Sequence, residues 1–167
     1  DVLGMVSAFP IPKTLRILNC YALGGAAANP DVEVEVNWSG AWFDPEVERQ
    51  ATRVIIDNGA DVVAQWSDSA AVVKEANEQD VWAVSAQVPH REAAGDNYLN
   101  GIIANWDDYY ETQLKEVRDG TWEASFDWWG LDTGIVDIGE WGPNVPEDVQ
   151  NEVEGLREET IDGSLDV

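Results

Sequence analysis

One stretch of this chain limits the choice of fold more than any other. From Val32 to Val73 it reads strand, aromatic loop, helix, strand, aromatic loop, helix, and each loop sets a Trp beside an Asp and a Ser. Strands alternating with helices in this rhythm build right-handed βαβ units and hence a parallel sheet. The carboxyl ends of parallel strands share one rim, so the two loops line Trp42, Phe43, Trp66, Asp68 and Ser69 along one crevice. That is the layout of a small-molecule binding site.

The rest of the first half agrees. Val2 to Ala8 is apolar without alternation, as in a strand covered on both faces. Phe9-Pro10-Ile11-Pro12 ends it and leads into a helix from Pro12 to Leu23, which Gly24-Gly25 should close. Val32, Val34, Val36 and Trp38 then alternate with Glu33, Glu35 and Asn37, the pattern of an edge strand with one wet side. Asp44-Pro45 opens the next helix as N-cap and first helical residue, Val47, Ala51, Val54 and Ile55 form its inner stripe, and Asn58-Gly59 stops it. A third strand runs from Asp61 to Trp66, a short helix from Ser69 to Asn77 and a fourth strand from Val81 to Ala86. Three apolar strands and one alternating second strand fit the sheet order 2-1-3-4, with the second strand at the edge.

After Gln87 the rhythm changes. The pattern predicts a strand at Tyr98 to Asn105 and a helix from Asp107 to Asp119-Gly120. A hairpin of Glu123 to Trp129 and Gly134 to Ile138 should turn at Leu131-Asp132-Thr133, and a last helix should run from near Pro146 to Asp162-Gly163. The expected class is α/β, an open, mostly parallel sheet with helices on both faces. Residues 1–86 form its lobe and residues 87–167 read as added segments.

Composition removes several functions. With 33 acidic side chains against 9 basic ones, the formal charge of −24 repels nucleic acid and anionic membrane. The acids are scattered while apolar periodicity survives, unlike a disordered acidic tail. Cys20 is the only cysteine, so no internal disulfide or cysteine zinc cluster can form. Its neighbours Leu15, Ile17, Leu18 and Leu23 predict a buried apolar role. His90 is the only histidine and no EF-hand spacing occurs, so neither metal nor cofactor is assigned. No signal peptide, lipobox or membrane-spanning run is present. Asp1 leads straight into a strand, and the beginning of the protein is expected to lie upstream.

Catalytic constellations are absent: there is no Gly-x-Ser-x-Gly elbow, no P-loop, no Gly-x-Gly-x-x-Gly after the first strand and no Cys/His pair. The aromatics say more. Nine Trp is a large share, and Trp42, Trp66 and Trp106 fall at strand ends rather than on helix stripes. Trp42-Phe43 reads either as a clamp over the sheet edge or as a flat face for a planar or ring-shaped ligand. Asp44, Asp68 and Ser69 open helices, so capping accounts for them as well as ligand contact does.

Phe9-Pro10-Ile11-Pro12, Asn29-Pro30-Asp31-Val32, Trp38-Ser39-Gly40-Ala41-Trp42-Phe43-Asp44-Pro45, Ile56-Asp57-Asn58-Gly59-Ala60-Asp61 and Asp68-Ser69 resemble the basic membrane lipoprotein (BMP, PnrA-like) substrate-binding proteins of ABC transporters. So do Asp119-Gly120-Thr121-Trp122 and Trp128-Trp129-Gly130-Leu131, in the same order along nearly the whole chain. The resemblance implies a type I periplasmic-binding-protein fold of two lobes closing on a purine nucleoside or base, with an ABC permease as partner. It implies an extracytoplasmic, lipid-anchored protein, not an enzyme, of which this chain is the C-terminal half and whose N-terminal lobe precedes Asp1. Carried over by position, Phe9, Trp42, Phe43, Trp66, Asp68 and Ser69 would face the ligand, with Gln87 as a neighbouring polar contact. Two departures stand out: Pro89 replaces an Asp that can hold a ribose hydroxyl, and Asp132 replaces a Lys. The first weakens the nucleoside expectation relative to a free base, or to another ligand altogether. A ligand-sensing receptor or regulator of the same fold is the alternative, and an α/β nucleoside-processing enzyme the weakest reading.

An evenly acidic, Lys-poor surface on a well-patterned fold suits concentrated salt, where screening shortens from about 10 Å at 0.1 M to about 3 Å at 1 M. Thermal melts should therefore show a higher Tm in molar salt than in 0.1 M salt, and equal stability in both would refute a halophilic adaptation.

Overall fold

The computed structural model describes residues 1–165. Its centre is a six-stranded sheet in the order β2-β1-β3-β4-β5-β6. The strands are β1 (Val2–Ser7), β2 (Glu33–Trp38), β3 (Val62–Trp66), β4 (Trp82–Gln87), β5 (Tyr98–Ala104) and β6 (Val136–Ile138). The first five are parallel and only β6 runs antiparallel, against β5. The helices are α1 (Pro12–Ala28), α2 (Pro45–Asp57), α3 (Ala71–Glu78), α4 (Arg91–Ala94), α5 (Asp107–Asp119) and α6 (Glu147–Asp162). None of the helices among the described residues is long and apolar enough to cross a membrane.

Side-chain alternation along the strands divides the core between the two sheet faces. Val6 and Val63 point into one cluster, where Ala51 and Ile55 of α2 and Val72, Val73 and Ala76 of α3 meet them. Met5, Ala64, Trp66 and Ala86 form a smaller cluster on the other face, packed against Ile17, Leu18 and Tyr21 of α1. The stripe of α2 differs from the sequence expectation: Glu48, Ala51, Thr52 and Ile55 are buried, while Val47 and Val54 are exposed. Two polar residues occupy inward positions because each has internal partners. Thr52 Oγ1 donates to the Glu48 carbonyl at 2.8 Å, and Glu48 serves the site described below.

Three other expectations are corrected. Gly24-Gly25 does not close α1, which continues to Ala28. Gly25 is a packing residue, since a Cβ there would lie 2.6 Å from Leu3 Cδ1. The predicted hairpin is absent: residues 121–130 carry no strand, and β6 pairs with β5 instead. Trp122, Phe126 and Trp128 supply strand-like composition, yet they are exposed and have no neighbouring ladder to join. Cys20 is exposed rather than buried, because it opens on a groove beside α1.

The later elements are held by polar links. Arg157 of α6 grips Asp137 of β6 through two hydrogen bonds, Nε to Oδ1 at 2.6 Å and one Nη to Oδ2 at 2.7 Å. These bonds hold the Asp137 carboxyl below the usual carboxylate range, against the cost of its partial burial. Asp137→Asn should cost about 1.5–3 kcal/mol at neutral pH, the worth of hydrogen bonds to charged groups. Because the folded pKa is depressed, this contribution is present above the unfolded value of about 3.9 and is lost as pH falls through the folded value. Urea titrations of the wild type and Asp137→Asn should therefore differ at pH 7 and converge in acid.

Candidate functional site

Four loops or strand ends, those of β1, β2, β3 and β4, meet on the carboxyl rim of the parallel sheet. Because β1 lies between β2 and β3, successive connections leave it on opposite faces, and this reversal opens a crevice at the rim. Backbone bonds knit the loops together: Gly40 N–H donates to the Ala8 carbonyl at 2.9 Å and Asp68 N–H to the Trp42 carbonyl at 2.8 Å. The aromatic loop after β2 and the polar loop after β3 are thus joined directly.

A buried carboxylate joins them a second time. Glu48 is fully buried. Its Oε1 accepts from Asp44 N–H at 3.0 Å, and its Oε2 accepts from Ser67 Oγ at 2.8 Å and Ser69 Oγ at 2.7 Å. Asp44 in turn accepts from Val47 N–H at 3.2 Å, so the start of α2 is capped from both directions. Pro45 follows at the first helical position, where its missing N–H costs nothing. Nothing in the hydrophobic pattern marks Glu48. The Asp-Pro cap four residues earlier is the only signal that could have found it.

Phe9 and Trp42 meet edge to face with centroids 5.6 Å apart, and Trp42 keeps 37% of its surface exposed. Phe43 is 67% exposed and lines a hollow of about 640 Å³ with Asp68, Ser69, Arg49 and Lys74. Asp68 also borders a second hollow of about 310 Å³, with Gln87, Ser67 and His90. Burial holds the His90 imidazole below its ordinary pKa while the charge of Glu48 opposes the shift.

The seven sequence-derived candidates thus take different places. Phe9, Trp42, Phe43, Asp68 and Gln87 lie on the rim. Ser69 is committed internally: its Oγ donates to Glu48 and accepts from Ala71 N–H at 3.1 Å, which makes it a strut of the loop. Trp66 is the last residue of β3 rather than a loop residue, and at 6% exposure it belongs to the core cluster under α1. Among the described residues, the side chains of Asp68 and Gln87 have no hydrogen-bond partner. Gln87 also sits at φ +67°, with Val88 N–H bonded back to the Ala86 carbonyl at 2.8 Å. That is a γ-turn in the left-handed region, a strained conformation for a side-chain-bearing residue. The rim therefore combines exposed aromatic faces, an unengaged carboxylate and an unengaged amide on a rigid base. Among the described residues no cluster of His, Cys, Asp and Glu could hold a metal ion.

A doubly wound lobe with aromatic and unengaged polar groups on its carboxyl rim is the form of a solute-binding lobe. The chain belongs to the Bmp family, described as ABC transporter substrate-binding protein PnrA-like, whose profile matches residues 2–167. It is 40% identical over 167 residues to a Haloferax volcanii protein with the provisional name ABC transporter glucose-binding protein TsgA13, covering 100% of this chain and 43% of that one. It is 33% identical over 159 residues to a purine-binding protein of Brucella abortus, covering 95% and 44%. The solved structure of an ABC transporter solute-binding protein from Conexibacter woesei superposes with a TM-score of 0.80 at 25% identity, covering 100% of this chain and 57% of that one. The family is one of substrate-binding proteins, not enzymes. The chain spans about half the length of these relatives.

Glu48→Gln replaces an accepting oxygen with a donor and leaves either the Asp44 N–H or the Ser67 and Ser69 hydroxyls unpaired in the interior. It should cost about 1–3 kcal/mol, and Glu48→Ala, which also opens a cavity, about 3 kcal/mol or more. Urea unfolding of both variants checks this, and a loss below 0.5 kcal/mol for Glu48→Ala, within the ordinary surface range, would remove the carboxylate from its structural role.

Proposed function

We propose that this chain forms one wall of an interlobe cleft that binds a purine-type base or nucleoside, in the substrate-binding component of an ABC importer. The observation that supports the reading is the rim itself, where Trp42 is part-exposed, Phe43 shares one hollow with the unengaged Asp68, and Asp68 shares a second with the unengaged Gln87. Aromatic faces stack on a planar heterocycle. A carboxylate accepts from ring N–H or amino groups, and an amide both donates and accepts. Phe9 braces Trp42, while Ser69 and Glu48 hold the polar loop in place. Pro89 offers no hydroxyl-binding carboxylate, so a free base suits this wall better than a nucleoside. The Brucella abortus relative, named for purine binding, supports the reading. The bound solute would pass to a permease on the outer side of the membrane, with a lipid anchor supplied by the part of the protein outside this chain.

The name of the Haloferax volcanii relative favours a second reading, a hexose. A Trp face also packs against the apolar face of a sugar ring, and Asp68 and Gln87 can bond its hydroxyls. Isothermal titration of the full-length protein with adenine, guanine, adenosine, inosine and glucose separates the two. The purine reading expects a free base to bind most tightly, and Trp42→Ala to lose about 2 kcal/mol, roughly thirtyfold in Kd. Heat from glucose alone would establish the second reading, and silence from all five would reject both.

A further inference from the structure

We propose that His90 is a further ligand-contacting residue of the rim, which meets the solute as an uncharged imidazole and so makes binding weaken as the medium turns acid. The proposal rests on the purine reading above and adds to it one residue and one proton. Its setting is the hollow of about 310 Å³ that His90 borders with Ser67, Asp68 and Gln87.

Position comes first. The turn at Gln87 redirects the chain as β4 ends, Val88 is apolar and Pro89 has no hydrogen-bonding side chain. His90 is therefore the next side chain on this rim able to donate or accept. Its backbone is pinned from behind: the His90 carbonyl accepts from Ala93 N–H at 3.0 Å and Ala94 N–H at 3.1 Å to open α4, and Ala94 is fully buried in the larger cluster. The residue itself is half-buried, and its ring has no hydrogen-bond partner among the described residues. It joins Asp68 and Gln87 as a third unengaged polar group on one hollow.

The charges around the ring decide which form a solute meets. From α2, the charge of Glu48 reaches it, with that carboxylate already held by Ser67 and Ser69. From the loop after β3, Asp68 faces the same hollow. Arg91 and Glu92 of α4 and Glu140 beyond β6 share a neighbouring hollow with His90, and Arg91 is bonded to Glu140 at 2.9 Å. The nearby cation is thus already paired. Burial pushes the imidazole below its ordinary pKa of 6.5, against the charge of Glu48. A planar solute entering the hollow strips more water from the ring and pushes it further the same way. The neutral ring offers that solute one donor and one acceptor, beside a carboxylate that only accepts. An imidazolium has lost its acceptor and draws the free Asp68 carboxylate toward itself, away from the solute. Solute and proton therefore compete at His90. The apparent Kd is level well above the free-state pKa, and it rises as pH falls through that value.

Isothermal titration of the full-length protein with adenine, which stays largely uncharged between pH 8 and pH 5, tests this. The wild type is expected to bind at least about threefold more weakly at pH 5 than at pH 8. It should also release protons on binding at pH 6, read as a difference in heat between two buffers of unlike ionisation enthalpy. His90→Gln still accepts and donates but takes up no proton, so its Kd should stay level over the same range. His90→Asn repeats that comparison, and the proton release of the wild type needs no variant at all. Wild-type affinity that is level or tighter in acid overturns the role of His90 and leaves the purine reading standing. So does a wild-type slope retained in His90→Gln, which assigns the proton to another group. Silence from adenine at every pH rejects the purine reading and this inference with it.

Discussion

The carboxylate of Glu48 is the interaction on which the rim depends. A fully buried carboxylate is costly unless its oxygens are engaged, and here three donors come from three different places: the start of α2, the end of β3 and the start of the next turn. No cation is among them. The energy is therefore that of charge-assisted hydrogen bonds, each stronger than a neutral one and each geometrically exact in what it fixes. The consequence is that the loops after β2 and β3 behave as one body. Trp42 and Phe43 inherit their position from Asp44, and Asp68 inherits its position from Ser67 and Ser69 on either side. A rim built this way would meet a ligand with little ordering cost, because its loops were fixed on folding.

The sheet beneath the rim is stabilised unevenly. On the α2 and α3 face, eleven residues form a continuous buried cluster, and the Arg53–Glu75 pair clasps the two helices with bonds of 2.6 and 3.2 Å. On the α1 face the buried apolar cluster has only four members among the described residues. A lobe that is finished on one side and open on the other accounts for the exposure of Trp128, Ile102 and Cys20 without assigning any of them to the ligand. It also explains why Trp66, at the end of a central strand, is a core residue whose indole N–H has found no acceptor.

Much of this was legible in the sequence. Strand order, the edge position of β2, the Asp44-Pro45 start of α2 and the placing of the loops after β2 and β3 at one rim all follow from alternation, caps and the rule of right-handed crossovers. Errors arose where tertiary contacts override local pattern. Gly24-Gly25 looks like a helix stop, yet Gly25 is small because Leu3 approaches it. The aromatic run from Trp122 to Trp129 looks like a strand, yet its expected partner, β6, pairs with β5 instead. Val47 and Val54 look like the buried stripe of α2, yet the helix turns Glu48 and Thr52 inward because the polar loop after β3 supplies their partners. No periodicity argument contains that information, since it lies in a contact between residues 19 and 21 positions apart.

Charge narrows what such a rim can hold. A formal charge of −24 creates a field that opposes approach of anions, and at about 0.15 M salt it acts over roughly 8 Å. Asp68 adds a carboxylate at the rim itself, with no cation bonded to it among the described residues. Anionic solutes would be opposed by the field at a distance and by Asp68 on contact, against which Arg49 and Lys74 line the same hollow. Neutral heterocycles escape the first penalty and profit from the second, because a carboxylate rewards each ring N–H it receives. On the purine reading proposed above, the electrostatics of this wall and the proline at position 89 would act in the same direction, toward the smallest and least anionic of a nucleotide, a nucleoside and a base.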